Sequence, residues 1–279
     1  MKAVAAAACL SLLALPILGQ EPSGKGVNFY SVQREIEYGR QIAAALESTL
    51  PIVHEPRLDA YLARLAATLA PLADPRFPYS FTLYEDRGQW QPVPVALAMP
   101  ADALWGKAGE PVAIAGGPVF IPMSLLAGAP TEAEFVFQLA HAMAHIGLRQ
   151  PSRMATRDTL LRLAGAPVSV QGGPVLISID PSLITNAAAA LMARQFELQA
   201  DAAAARMLAD ADYDPAPVIR EFQAQGTAGG GGYSVHPSGS RRAAAVQSAL
   251  ENLPARTYPA DSAEFTAARS LASGVGRIL

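Results

Sequence analysis

Thr131-Glu132-Ala133-Glu134-Phe135-Val136-Phe137-Gln138-Leu139-Ala140-His141-Ala142-Met143-Ala144-His145 is the stretch on which the reading of this chain turns. Thr131 and Glu134 form a capping box, the hydroxyl at the cap and the carboxylate three residues on, so a helix is expected to start near Thr131. It should run to Gln150, where Pro151 stops it. His141 and His145 are spaced i, i+4 inside it, which stacks both imidazoles on one face about a turn apart, within reach of a single metal ion. The pattern is short. Two ordinary histidines on a polar helix face would look the same.

A second long helix fits Ser182–Ala209 and places Glu197 and Asp201 at i, i+4. Two histidines and one glutamate make the ligand set of a catalytic zinc site with an open fourth position. A carboxylate one turn further on, Asp201, could accept the other ring N–H of a ligating histidine and fix its tautomer. Glutamate and aspartate on a helix are commonplace and usually solvated. Here alanine and apolar residues surround them, and an unpaired carboxylate in such a setting is costly.

Elsewhere, helical periodicity covers Val32–Leu46, with Ile36, Ile42 and Ala43 inward and Arg34, Glu37 and Arg40 outward. Pro56–Leu72 carries Leu58, Tyr61, Leu62, Leu65 and Leu69 on one stripe. Strands are expected at Tyr79–Tyr84, Val93–Met99, Val112–Ile114 and Val119–Ile121, the last two joined by Gly116-Gly117. A variable middle, Ser152–Pro181, separates the two chemistry-bearing helices. A glycine-rich loop, Gly226–Gly232, leads to His236-Pro237 and a final helix over Gly239–Leu250.

Met1-Lys2, the apolar run Ala3–Leu18 and the polar stretch after Gly19 have the layout of a secretory signal peptide. Residues 1–19 are therefore expected to be a signal peptide and 20–279 a single domain, exported across an inner membrane and periplasmic in a bacterial envelope. The only cysteine, Cys9, lies in the leader, so a metal site in the mature chain must be built from His, Asp and Glu. The chain has 279 residues, 51% hydrophobic, with a formal net charge of -3, enough for a sizeable core. It has no basic stripe with interleaved aromatics, which argues against nucleic acid as a partner.

In the order of these elements the chain resembles the HtpX/BepA-type zinc metalloendopeptidases, the gluzincin group that includes the CAAX prenyl protease. The resemblance rests on Gln33–Gly39, Leu58–Leu62, Ile114–Ile121, Glu132–Phe135, His141–His145, Glu197–Asp201, Tyr213–Pro215 and His236-Pro237 with Arg242. It implies a helix-rich α+β zincin-like metallopeptidase domain with a small sheet, and Zn2+ as cofactor. His141, His145 and Glu197 would be the ligands, with Asp201 and Arg242 behind them. His236 would act near the metal, on the transition state or in a latent state. Gly116, Gly117, Val119 and Phe120 would form the edge strand along which a peptide or unfolded protein substrate adds. Peripheral association with the membrane or with outer-membrane assembly machinery is a further expectation about partners.

The departure is central. Members of that family read H-E-x-x-H, whose glutamate moves the proton of the zinc-bound water, and this chain has Ala142 there. Gln150 also stands where a second histidine often follows the arginine. Four readings follow: a pseudoprotease that keeps zinc and binds peptide segments of envelope proteins; a working metalloendopeptidase with a base from His236 or the variable middle; a normal peptidase carrying an introduced Ala142; and a metal-free helical scaffold. Drift without metal should erode the ligands as readily as the base, which favours the metal-binding readings.

Overall fold

The computed structural model describes residues 27–86, 104–105, 109–164, 181–227 and 237–275. Within them the fold is helix-rich α+β with one small sheet. The expected signal segment and the expected strand Val93–Met99 lie outside the described residues.

Helix α1 (Val32–Glu47) starts at Ser31, whose hydroxyl accepts from the Arg34 N–H. Its buried line is Glu35, Gly39, Ile42 and Leu46, while Ile36 and Ala43 are only half-buried. The burial of Glu35 is explained by partners distant in sequence. Its carboxylate accepts from Arg149 at 2.6 and 2.8 Å and from the Ser152 hydroxyl at 2.6 Å. Helix α2 (Pro56–Leu69) has proline in its first turn and Glu55 as a cap for the N–H groups of Arg57 and Leu58. Leu58, Tyr61, Leu62, Leu65 and Leu69 are all buried, the stripe expected from their spacing.

The strands are β1 (Ser80–Tyr84), β2 (Leu104–Trp105), β3 (Val112–Ile114) and β4 (Pro118–Pro122), in the spatial order β1-β4-β3-β2. β4 runs parallel to β1, with Phe81 opposite Val119, and antiparallel to β3, with Ala113 opposite Val119. β4 is therefore an interior strand, and the expectation that Gly116, Gly117, Val119 and Phe120 form an exposed edge is overturned. Val119 and Phe120 are buried and β4 is hydrogen-bonded on both sides. The two glycines instead make the β3–β4 turn, with φ of 98° and 133°. A Cβ on Gly116 would stand 2.2 Å from the Glu35 carbonyl oxygen, and one on Gly117 2.4 Å from that of Pro78. Absent side chains let the hairpin sit directly on α1.

After the short α3 (Met123–Gly128) comes α4 (Glu132–Gly147), capped by Thr131 through the Glu134 N–H while the Glu134 carboxylate accepts from the Thr131 hydroxyl. α4 is buried on nearly every side; only Thr131, Glu134, Gln138, His141 and Gly147 along it and its cap are half-exposed. The chain then turns at Arg149, whose φ is 56°, and α5 (Gln150–Ala164) begins at once. Pro151 thus opens a new helix rather than a loop, because proline is well placed in a first turn. α6 (Pro181–Asp210) packs along α4, and α7 (Ala216–Gln225) and α8 (Gly239–Leu250) close over α6 and α4. A further helix that the sequence pattern did not signal, α9 (Ala263–Val275), buries Phe265, Ala268 and Ala272 against α3 and α2. Among the described residues, no helix is long and apolar enough to cross a membrane.

Gly39 tests the α1–hairpin contact. Gly to Ala inside a helix ordinarily gains about 0.5–1 kcal/mol, but a Cβ here would stand 2.3 Å from the Ala115 carbonyl oxygen. Gly39→Ala is expected to destabilise the protein by about 1–3 kcal/mol in urea unfolding. Gly274→Ala, where a Cβ meets nothing within 4 Å, should leave stability equal or higher. A neutral Gly39→Ala would contradict the packing.

Candidate metal centre

His141 projects from the half-exposed stripe of α4 and His145 is buried one turn further on, while Glu197 and Asp201 project from the facing turn of α6. Ala200, Ala204 and Ala205 on α6 are fully buried, and side chains this short let two helices close on each other. The two Nε2 atoms lie 2.9 Å apart. Glu197 places one carboxylate oxygen 3.5 Å from the His141 Nε2 and the other 3.6 Å from the His145 Nε2. A tetrahedral ion with N and O ligands at about 2.0–2.2 Å needs ligand separations of roughly 3.3–3.6 Å; the Glu197 distances already match, and the two Nε2 atoms need only move apart by a few tenths of an ångström. These three residues could hold a metal ion. His145 and Glu197 are buried and His141 is 12% exposed at its side chain, so the centre is reached past His141.

The outer nitrogens are held as well. His141 Nδ1 lies 3.1 Å from Asp201 Oδ1. Asp201 is fully buried and receives two parallel bonds from Arg242, Nε to Oδ2 at 2.8 Å and Nη2 to Oδ1 at 2.7 Å. Arg242 lies over the Phe222 ring at 4.2 Å. His145 Nδ1 lies 2.5 Å from Gln150 Oε1. With both Nδ1 atoms facing acceptors, both Nε2 atoms are directed at the same point, where their lone pairs repel unless a proton or a metal ion lies between them. That is the observation by which the residues fit a metal.

Electrostatics give the metal-free answer. Burial alone would push His141 down, but the Asp201 and Glu197 carboxylates beside it overcome that and raise its pKa to about 9. Burial and the neighbouring charge of His141 push His145 down to about 3. Burial would raise the Asp201 carboxyl, but the Arg242 and His141 bonds hold it below the ordinary carboxylate value. In the metal-free protein one proton thus sits on His141 Nε2, aimed at His145 and Glu197, where a metal would bind.

The structure brings together His141, His145, Glu197, Asp201 and Arg242. Ala142 is buried within the main core. His236 lies outside the described residues. Gly116, Gly117, Val119 and Phe120 belong to the hairpin and not to an edge. Glu134, two turns before His141, is engaged at the helix cap. Gln150, Phe222 and the Glu35–Arg149 pair are the supporting residues that spacing alone did not single out. A separate cleft of about 420 Å³, lined by Arg64, Thr131, Tyr213, Asp261 and Glu264, opens at the start of α4, roughly 15 Å along the helix from His141.

The family model of peptidase family M48 matches residues 111–250, half of the chain, from β3 through α8. The match spans both helices that carry the cluster. No curated protein matches the chain.

The shared proton sets a prediction. A ligating His141 must give up the Nε2 proton that it holds up to about 9, whereas His145 is already neutral. Zinc binding near neutral pH should release about one proton, and affinity should weaken as pH falls. Titration calorimetry in buffers of different ionisation enthalpy counts that proton. Release near zero would contradict the arrangement.

Proposed function

The chain belongs to peptidase family M48, and from that premise we propose that it is a zinc-binding pseudoprotease of the HtpX/BepA type. His141, His145 and Glu197 hold the zinc, and the centre binds peptide segments of envelope proteins with little or no hydrolysis. The observation that carries this is an intact buried His141–His145–Glu197 cluster beside Ala142, at the position where the family's general base would stand.

Zinc in such a site polarises a peptide carbonyl and acidifies a bound water. What this chain supplies around it is positioning without proton transfer. The methyl of Ala142 carries no exchangeable proton, and among the described residues Asp201 is committed to Arg242 and Glu134 to Thr131. General acid–base help is worth about 10²–10⁴ in rate, so its loss leaves slow turnover at best. Since β4 is interior, an extended peptide would add instead beside β2, one of the two outer strands among the described residues; the other, β1, is bridged by Ile52 at Tyr84. Export by residues 1–19 to the periplasm, and peripheral association with a membrane or outer-membrane assembly machinery, complete the proposal.

Restoring the base tests it. Ala142→Glu should cleave an unfolded substrate such as casein at least about 10² faster than the parent, with the activity lost on chelation. Equal rates in both proteins, both abolished by chelator, would refute the pseudoprotease reading in favour of a base supplied from elsewhere in the chain.

A further inference from the structure

Gln150 is fully buried beside the centre and has no part in the spacing pattern of the metal helix itself. Its amide spans two helices. Oε1 faces His145 Nδ1 at 2.5 Å, while Nε2 faces the Phe196 carbonyl oxygen at 3.2 Å and Gln199 Oε1 at 3.3 Å. Phe196 immediately precedes the ligand Glu197.

The orientation of this amide follows from donor and acceptor chemistry. A backbone carbonyl can only accept, so the group facing Phe196 must be the NH2. The oxygen is then the end that faces His145. An amide oxygen also only accepts, so His145 Nδ1 must carry the proton and its lone pair must be on Nε2. The reverse amide would set oxygen against the Phe196 carbonyl in a buried site, leaving two acceptors in contact and a donor unmade.

We propose that Gln150 is the positioning residue of the metal centre: through its amide it fixes the His145 tautomer that presents Nε2 to the metal, and it ties that histidine to the turn of α6 bearing Glu197. This rests on the metal reading and adds to it the residue that orients the second histidine. The two ligating imidazoles are then supported unequally. His141 leans on a carboxylate, Asp201, which makes it the more basic donor. His145 leans on a neutral amide, which orients it without adding charge. A burial-only role would need the shape of Gln150 alone, whereas positioning needs its oxygen.

Two variants and one spectrum separate these. Gln150→Met keeps the bulk and loses the acceptor; zinc affinity should fall about 10–100-fold, and in the metal-free variant the His145 Nδ1–H proton should lose the downfield NMR shift of a hydrogen-bonded ring N–H. Gln150→Glu keeps an acceptor facing Nδ1, so that downfield shift should persist, while the amide's donation to the Phe196 carbonyl is lost. In the metal-free parent, ¹⁵N NMR should show His145 protonated at Nδ1. The proposal is overturned by a folded Gln150→Met that binds zinc as the parent does, by a folded Gln150→Glu that loses the downfield Nδ1–H shift, or by an Nε2–H tautomer of His145 in the parent. If Gln150→Met does not fold, Gln150→Glu and the parent spectrum decide. A parent that binds no zinc overturns the metal centre itself, and the metal-free spectrum still reports on Gln150 separately.

Discussion

The carboxylate of Asp201 is fully buried, and much of the site depends on how that charge is satisfied. A buried carboxylate persists only if paired and hydrogen-bonded. Arg242 from α8 meets it with two parallel bonds, and His141 from α4 meets it at 3.1 Å. Three helices are thereby drawn to one point. The same contact turns His141 so that Nε2 faces inward, and Phe222 of α7 lies under the guanidinium. Gln150 does the equivalent for His145 from α5. Each histidine is held from behind by a separate element, and the cluster is a consequence of how the helices are joined rather than of two residues on one helix.

The second constraint lies just past the C-terminal end of α4. Glu35 in α1, Arg149 after α4 and Ser152 in α5 form a buried polar knot. Arg149 also donates to the Tyr30 carbonyl. The turn at Arg149 takes a left-handed backbone that a non-glycine residue adopts only when its surroundings hold it there. That turn sets where α5 begins, and therefore where Gln150 stands relative to His145. Arg149 thus serves the centre through geometry alone.

Much of this was legible in the sequence where the information is local. The Thr131–Glu134 capping box, the apolar stripe of α2 and the two i, i+4 pairs each express a helical repeat within a few residues, and each forms as its spacing indicates. What escaped is non-local. Glu35 looks like a surface residue because its partner is 114 positions away. The strand order cannot be read from the strands, so a glycine-rich segment that looked like an edge is an interior hairpin. Pro151 fits both the end of one helix and the first turn of the next, and only the turn at Arg149 separates the two. The few large side chains of α9, in a run of alanine and serine, give too weak an apolar stripe to announce a helix that fills its groove mainly with Phe265.

Ala142 sits among core residues, one position from a ligand. The helix, both histidines and their supports are compatible with a methyl there, so nothing in the packing required the base to be kept. The proposed separation of binding from proton transfer is tested first at binding. Zinc content of the purified protein after refolding with zinc tests it most directly. About one equivalent per chain is expected, whereas less than about a tenth of an equivalent would contradict a metal centre at His141, His145 and Glu197.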